Sequence, residues 1–257
     1  MAFRVHTLKE TEQLALELGY DGLELMLPPR HLPIEESRRD TNLTGLTAVP
    51  VVHAGGDLFD QERYELSLRE ALAAAKAVGA EIINVHPPSA RFGGRAHLLW
   101  AMDLINHLER ESGLQIAYEV LVDPQGITLE RREFFAQQQA YTSIEEWIGD
   151  VRERKLSATL DTCHVATWGA QPGPYVEQLG KHLAHVHFSD YSRTELREHL
   201  IPGEGDVELP AFLRELALRR PDVTVTVELN PESTHEAVRR AAERSRDYIA
   251  RALAERL

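Results

Sequence analysis

The sequence predicts one α/β domain over residues 1–257, folded as a closed (β/α)8 (TIM) barrel. Three observations carry this. Eight short β-branched or apolar runs alternate with segments of helical period, and strict alternation implies parallel strands joined by right-handed crossovers. Eight such units in 257 residues match the size of a closed barrel. An open doubly wound sheet usually shows a Gly-rich phosphate loop after its first strand, and none follows Thr7.

The elements follow in chain order. Phe3–Thr7 reads as the first strand, and Glu10–Leu18 as a helix stopped by Gly19. Gly22–Leu27 is the second strand, closed by Pro28-Pro29, and the polar residues 35–39 suit a short helix. Leu46–Val52 is the third strand, ending at His53. Glu62–Val78 is an amphipathic helix stopped by Gly79, and Glu81–Val85 the fourth strand, ending at His86. Arg95–Glu111 is a helix stopped near Gly113, and Leu114–Tyr118 the fifth strand, ending at Glu119. Ser143–Val151 is a helix with Ser143 and Glu146 at capping-box spacing. Ser157–Leu160 is the sixth strand, followed by a short helix at Pro174–Gly180. Leu183–Phe188 is the seventh strand, Leu209–Leu218 a helix, Val223–Leu229 the eighth strand, and Glu232–Leu257 a closing helix. One connection is longer than the rest: residues 120–142 form an excursion suited to a lid or contact surface. That excursion and the long final helix are candidate surfaces for a homo-oligomer.

Composition narrows the function classes. Apolar residues make up 43%, which supports a sizeable core. A formal charge of −13 argues against a broadly basic surface and so against a nucleic-acid partner. One cysteine, Cys163, excludes an internal disulfide and fits a reducing cytoplasm. The first residues lack the basic-then-apolar pattern of a secretory signal, and no run approaches the roughly 20 apolar residues of a membrane span.

In a barrel of this kind the active site lies at the C-terminal ends of the strands. Those positions hold His53, His86, Glu119, Asp161, His164, His187 and Glu228. Taken alone, Asp161 reads equally as a turn cap and His164 as an ordinary loop histidine. Convergence of these carboxylates and imidazoles on one rim points to a divalent metal, and the lack of cysteine clusters argues against a thiolate site. The donor set suits Mn, Mg, Co, Fe or Zn alike. His185 and His187 share a strand face; His187 is nearer the end and is the expected ligand, with His185 as support. Cys163 reads as a small buried filler and His182 as structural, while His6, His31, His97, His107 and His235 have no convergent context. The stretch from Glu198 to Val207, with Gly203 and Gly205, reads as a loop with a tight turn from which His199 reaches the rim. Arg91, Arg95, Arg193 and Arg197 lie in loops on that side as candidate holders of a phosphate or carboxylate, and Trp168 is a further candidate substrate contact.

These residues give the chain a resemblance to the xylose isomerase-like barrel superfamily, running from Gly19-Tyr-Asp-Gly-Leu-Glu24 to Glu228. That superfamily includes sugar phosphate isomerases and epimerases and the apurinic endonucleases of the endonuclease IV type. The isomerase branch implies one divalent ion on Glu119, Asp161, His187 and Glu228, proton exchange by Glu119 and Glu228, and substrate contact by His164. His86, Arg91, Arg193, Arg197 and Trp168 complete the expected substrate contacts. The segment His199-Leu-Ile-Pro-Gly-Glu-Gly-Asp206 is similar to a loop common in that branch.

The endonuclease branch implies two or three zinc ions. Leu160-Asp-Thr-Cys-His164 and His187-x-x-Asp190 resemble its motifs, which would add His53, His86, His164 and His199 as ligands. Two departures weigh against it. Arg197 stands where that family has an acidic ligand, and His53 is followed by Ala54-Gly55-Gly56-Asp57 where the family has a Tyr-containing DNA contact. The expectation is therefore a metal-dependent isomerase or epimerase of a small sugar-like substrate. The alternative is a metal-dependent phosphoesterase.

Overall fold

The computed structural model describes residues 7–27, 43–55, 60–90, 93–230 and 234–254. The strand expected at Phe3–Thr7 lies outside these except for Thr7, and the short helix expected near 35–39 lies wholly outside. Thr7 caps the first helix, α1 (Leu8–Glu17), through a capping box with Glu10. The chain continues through β1 (Glu24–Met26), β2 (Val51–His53), α2 (Gln61–Val78) and β3 (Ile82–Val85). Next come α3 (Gly94–Ser112), β4 (Gln115–Glu119), α4 (Leu129–Gln138), α5 (Ile144–Arg154) and β5 (Ser157–Asp161). Then follow α6 (Thr162–Thr167), α7 (Gly173–Leu179), β6 (Leu183–Phe188), β7 (Asp190–Ser192) and β8 (Arg197–Leu200). The chain ends with α8 (Leu209–Arg219), β9 (Thr224–Val227) and α9 (His235–Ala254).

Among the described residues seven strands pair in parallel in the order β1-β2-β3-β4-β5-β6-β9, forming a nearly closed barrel with helices between them. Gly79 and Gly113 stop α2 and α3 with φ near 74° and 73°, the left-handed conformation that only glycine adopts without strain. β1 and β2 are shorter than expected, although ladder-like bonds continue past their ends from Leu23 N to Ala48 O and from Leu27 N to His53 O.

The period of two sorts the strand residues. Leu25, Val52, Ile83, Val85, Ile116, Tyr118, Leu160, Val186 and Phe188 point outward and pack with the helices in the main core. Val51, Ile82, Ala117 and Ala184 form a separate small apolar cluster. On the inward side of the strands, above such residues, stand His53, Asn84, Glu119, Asp161 and His187, all buried. A register shift between Ala158 and Thr159 sets Thr159 opposite His185 and Asp161 opposite His187.

Three features correct the sequence reading. Residues 197–200, expected to belong to a plain loop, form β8, which pairs antiparallel with β7 as a hairpin. Its organiser is the buried carboxylate of Asp190. Oδ1 accepts from Tyr191 N (2.8 Å) and Val207 N (3.0 Å), and Oδ2 from Gly203 N (2.9 Å) and Gly205 N (3.0 Å). Gly205 is there because a Cβ would stand 2.4 Å from Tyr191 O and 2.5 Å from Asp190 Oδ1. Second, residues 162–167, to which the sequence reading assigns no helix, form α6, with Asp161 Oδ1 capping Cys163 N and His164 N. Third, only half of the expected box at α5 forms. Ser143 caps Glu146 N, but the Glu146 carboxylate reaches past it to Thr142 N and Oγ1.

The 120–142 excursion holds a 3-10 turn at Pro124–Gly126 and α4. Its first half is sewn to α6. His164 Nδ1 bonds Val120 O (2.9 Å), the Trp168 indole donates to Leu121 O (2.8 Å), and Asp123 N donates to Thr167 Oγ1 (2.8 Å). Gly126 lies so close that a Cβ would meet Thr167 O at 2.1 Å, and its carbonyl accepts from the Tyr191 hydroxyl (2.6 Å). Its second half is clipped to the hairpin by an Arg131–Glu198 ion pair, Glu198 being buried.

Candidate active site

Four inward groups are delivered by the C-terminal ends of strands. Glu119 ends β4, Asp161 ends β5, His187 lies near the end of β6, and Glu228 directly follows β9. These four each offer one donor atom, and the donor atoms lie within 4.8 Å of one another. His187 Nδ1 stands 2.9 Å from Glu228 Oε2, 3.2 Å from Glu119 Oε1 and 3.8 Å from Asp161 Oδ2. Asp161 Oδ2 is fully buried without a hydrogen-bond partner, a costly state for a carboxylate oxygen unless something else binds it.

Around this centre the other histidines divide into two groups. His53 and His86 lie on the far side of Glu119, their Nε2 atoms 3.6 and 3.2 Å from Glu119 Oε2, and the three form a second compact donor set. His53 Nδ1 bonds its neighbour's carbonyl, Ala54 O, at 2.9 Å, so Nδ1 carries the hydrogen and Nε2 is the nitrogen free to bind. His164 Nδ1 faces only acceptors: Val120 O at 2.9 Å, Glu119 Oε1 at 3.3 Å and Asp161 Oδ2 at 3.6 Å. It therefore carries its hydrogen on Nδ1. His199 belongs with His164, ring to ring at 5.4 Å, and its Nδ1 is 3.5 Å from Cys163 Sγ. His199 is held in a left-handed backbone conformation (φ 56°), with its carbonyl accepting from Asn230 N two residues beyond Glu228.

The electrostatics follow from burial opposed by close opposite charges. Burial raises the pKa of Glu119 and Glu228, but the facing imidazoles together, His187 with His86 and His164 at Glu119 and His187 with His199 at Glu228, hold both carboxyls well below the usual range. For His187 burial lowers the pKa, and Glu24, Glu119 and Glu228 together drive it well up. His164 is likewise lowered by burial and lifted by Asp161 and Glu119, reaching about 10. Burial prevails at His86, which is lowered, and at His185, which falls to about 4. Among the described residues no lysine or arginine pairs with these carboxylates, and the bases that face them are imidazoles. A divalent cation would balance the three carboxylates and would give the partnerless Asp161 oxygen a partner. The donor set and its electrostatics fit an ion of that class.

The remaining candidates fall elsewhere. Arg91 lies outside the described residues. Arg95 is spent on an ion pair with buried Asp150 of α5, and Arg197 is exposed and pairs with Glu195 at 3.1 Å. Arg193 is exposed and its backbone N donates to Asp206 Oδ2 at 2.8 Å. Trp168 is half-buried with its indole on the excursion. Cys163 is buried and free, and burial drives its thiol well up. His182 bonds Leu156 O at 2.9 Å, a structural contact.

Two inward residues escaped the sequence reading. Asn84 donates from Nδ2 to Glu119 Oε2 at 2.5 Å and fixes that carboxylate's rotation. Glu24 of β1 crosses the barrel to His187 Nε2, with its two oxygens 3.2 and 3.1 Å away. Both lie at strand positions where period-two alternation turns a polar side chain inward, and that was the available signal.

Residues 13–251 match the family described as the xylose isomerase-like TIM barrel. The chain belongs to this family. Relatives of this xylose isomerase-like barrel include an uncharacterized protein of Mycobacterium leprae, 27% identical over 248 residues, covering 89% of this chain and 86% of the relative. A Mycobacterium tuberculosis protein, also uncharacterized, is 28% identical over 215 residues, covering 75% of this chain and 73% of its own length. Among solved structures, a D-tagatose 3-epimerase-like protein superposes with TM-score 0.66 at 18% identity, covering 98% of this chain and 97% of that one. The IolI protein with a bound zinc atom gives 0.69 at 17% identity, covering 97% and 94%. D-allulose 3-epimerase from Methylomonas sp. gives 0.67 at 16%, covering 95% and 91%. At these identities the structural likeness establishes the shared fold.

Proposed function

We propose that this family member is a divalent-metal-dependent isomerase or epimerase acting on a sugar, sugar phosphate or related hydroxycarbonyl compound. The observation that carries the reading is the donor set of Glu119, Asp161, His187 and Glu228 around the partnerless Asp161 oxygen. These four residues would hold the divalent ion, whether Mn, Mg, Co, Fe or Zn, and when bound it would supply Lewis-acid polarisation. The chain's own residues move the proton. Glu119 and Glu228 are the two carboxylates placed to accept one. One of them takes the proton from the carbon beside the carbonyl and the other returns a proton, so the reaction balances without an oxidant. The side chain of Glu119 is fully buried and that of Glu228 is 17% exposed, so the pair spans the inner wall and the mouth of the site. His164, its Nδ1 hydrogen committed to Val120 O, presents Nε2 to a substrate hydroxyl, and His86 faces the same space from the other side of Glu119. The solved relatives of the same fold include sugar 3-epimerases and a zinc-bound protein, which supports this class. The single buried thiol suits a reducing compartment, and we take the enzyme to work in the cytoplasm on a small molecule.

A second reading has an observation of its own. His53, His86 and Glu119 form another donor set that shares Glu119 with the first, an arrangement suited to a two- or three-ion phosphoester hydrolase. His164 and His199 also form a donor set with Asp161 and Cys163, but Arg197, paired with Glu195, stands where enzymes of that type are expected to place the acidic ligand of a third ion. Counting ions per chain by elemental analysis separates the readings: one tightly held ion supports isomerisation, and two or three support hydrolysis. The mechanism itself is tested with Glu119→Gln, assayed for epimerisation of ketohexoses and ketose phosphates. Turnover should vanish with the circular dichroism spectrum unchanged. Activity that survives the substitution removes the proposed proton transfer.

A further inference from the structure

The His187 ring is contacted on both edges. Nδ1 faces the three carboxylates of the candidate metal cluster, at 2.9 Å from Glu228, 3.2 Å from Glu119 and 3.8 Å from Asp161. Nε2 faces Glu24, at 3.1 Å from Oε2 and 3.2 Å from Oε1. An ion takes a nitrogen lone pair, so a ligating imidazole must carry its hydrogen on the other nitrogen. Glu24 has only acceptor oxygens to offer. It sits on β1, at the end of the ladder away from β6, so its contact with His187 crosses the interior instead of following a neighbouring strand. It is enclosed, with its side chain 8% exposed, and its Oε2 is 3.4 Å from Nε2 of His185. His185 in turn is pinned between Thr159 Oγ1 at 3.3 Å and Thr226 Oγ1 at 2.8 Å. A floor of fixed polar groups thus holds Glu24 against one edge of His187.

We infer that Glu24 is a positioning residue for the metal: it fixes the hydrogen of His187 on Nε2 and so turns Nδ1 toward the ion. This inference rests on the proposed metal site. It assigns Glu24 no contact with substrate or ion, and it makes His185 with Thr159 and Thr226 the support that keeps the carboxylate in place.

The test is a Co2+ titration of the metal-stripped full-length chain, read by visible absorption and calorimetry. Glu24→Ala should weaken Co2+ binding about 10- to 100-fold, the usual effect of removing an outer partner of a ligating histidine, and should shift the visible bands. Glu24→Gln retains a carbonyl that accepts from Nε2–H, so it should keep the wild-type bands and weaken binding less. Glu24→Asp keeps the charge but shortens the reach, and should behave like the alanine variant; it serves if Glu24→Ala does not fold. Wild-type affinity and bands in both Glu24→Ala and Glu24→Asp overturn the inference alone. Loss of one whole equivalent of Co2+ in Glu24→Gln overturns it differently, by making Glu24 a ligand. A wild-type chain that takes up no Co2+ removes the metal reading, and this inference with it.

Discussion

Asp190→Asn tests how the rim is built. The carboxylate accepts four backbone hydrogens, two on each oxygen, and holds residues 191, 203, 205 and 207 together. An asparagine of the same shape keeps one accepting oxygen and presents an NH2 to two N–H groups that can no longer bond. Hydrogen bonds to a charged group contribute about 1.5–3 kcal/mol each, so losing two costs about 3–6 kcal/mol. The 190–207 segment can open locally, which limits the effect on global stability to the lower end, about 3 kcal/mol. For a chain of this size that lowers the melting temperature by roughly 6–12 °C. The assay pairs thermal melts with hydrogen exchange. Amides of Gly203, Gly205 and Val207 should lose protection, while those of β4 and β5 keep theirs. A melting temperature within about 1 °C of wild type, with these amides still protected, would refute the idea that Asp190 organises the hairpin.

Two further outcomes follow from the same geometry. Gly126→Ala sets a methyl 2.1 Å from the Thr167 carbonyl oxygen and 2.7 Å from its carbon, backbone atoms that cannot swing away. It should destabilise the chain by about 1–3 kcal/mol in urea unfolding, and an unchanged midpoint would contradict the packing described. The metal-free protein should also be acid-sensitive through Glu24. Burial raises that carboxyl's pKa, but His187 and His185 outweigh it and hold it at about 2 against an ordinary 4.5. A depressed carboxyl stabilises the fold above the unfolded pKa and loses that contribution as pH falls through the folded one. About 3 kcal/mol should therefore disappear between roughly pH 4.5 and 2. Urea midpoints measured across that window should show the fall, and Glu24→Gln should flatten it.

What the sequence discloses depends on how local the cause is. Helix ends at Gly79 and Gly113 and the full extent of β6 are legible because a left-handed cap and an apolar run act within a few residues. The convergence of Glu119, Asp161, His187 and Glu228 is legible because a parallel barrel sends every strand end to one rim. Glu24 was passed over because only the strand ends were read, and it opens its strand. Its role comes from a partner far along the chain and across the barrel. The β7–β8 hairpin was missed for a similar reason. β8 opens with charged Arg197 and Glu198, and it is held by pairing with β7, by the Asp190 carboxylate that ties down the turn following it, and by the Arg131–Glu198 pair. α6 spans six residues, too short to show a helical period, and only its N-cap Asp161 is visible in sequence. Arg95 shows the opposite error, a cation on the expected side whose charge is consumed by buried Asp150.

The stitching of the 120–127 segment to α6 bears on how chimeras of this chain can be built. Each bond across that seam uses a backbone atom of one side and a fixed group of the other, so the two move as one piece. Transplanting residues 120–142 from a relative would therefore import a mismatched seam and tilt His164 away from Glu119. A productive chimera must carry residues 162–168 along with the excursion, and Tyr191 as well, whose hydroxyl closes the same seam at Gly126. The packing unit here is a discontinuous block of three segments, and recombination breakpoints that divide it should displace His164 from Glu119.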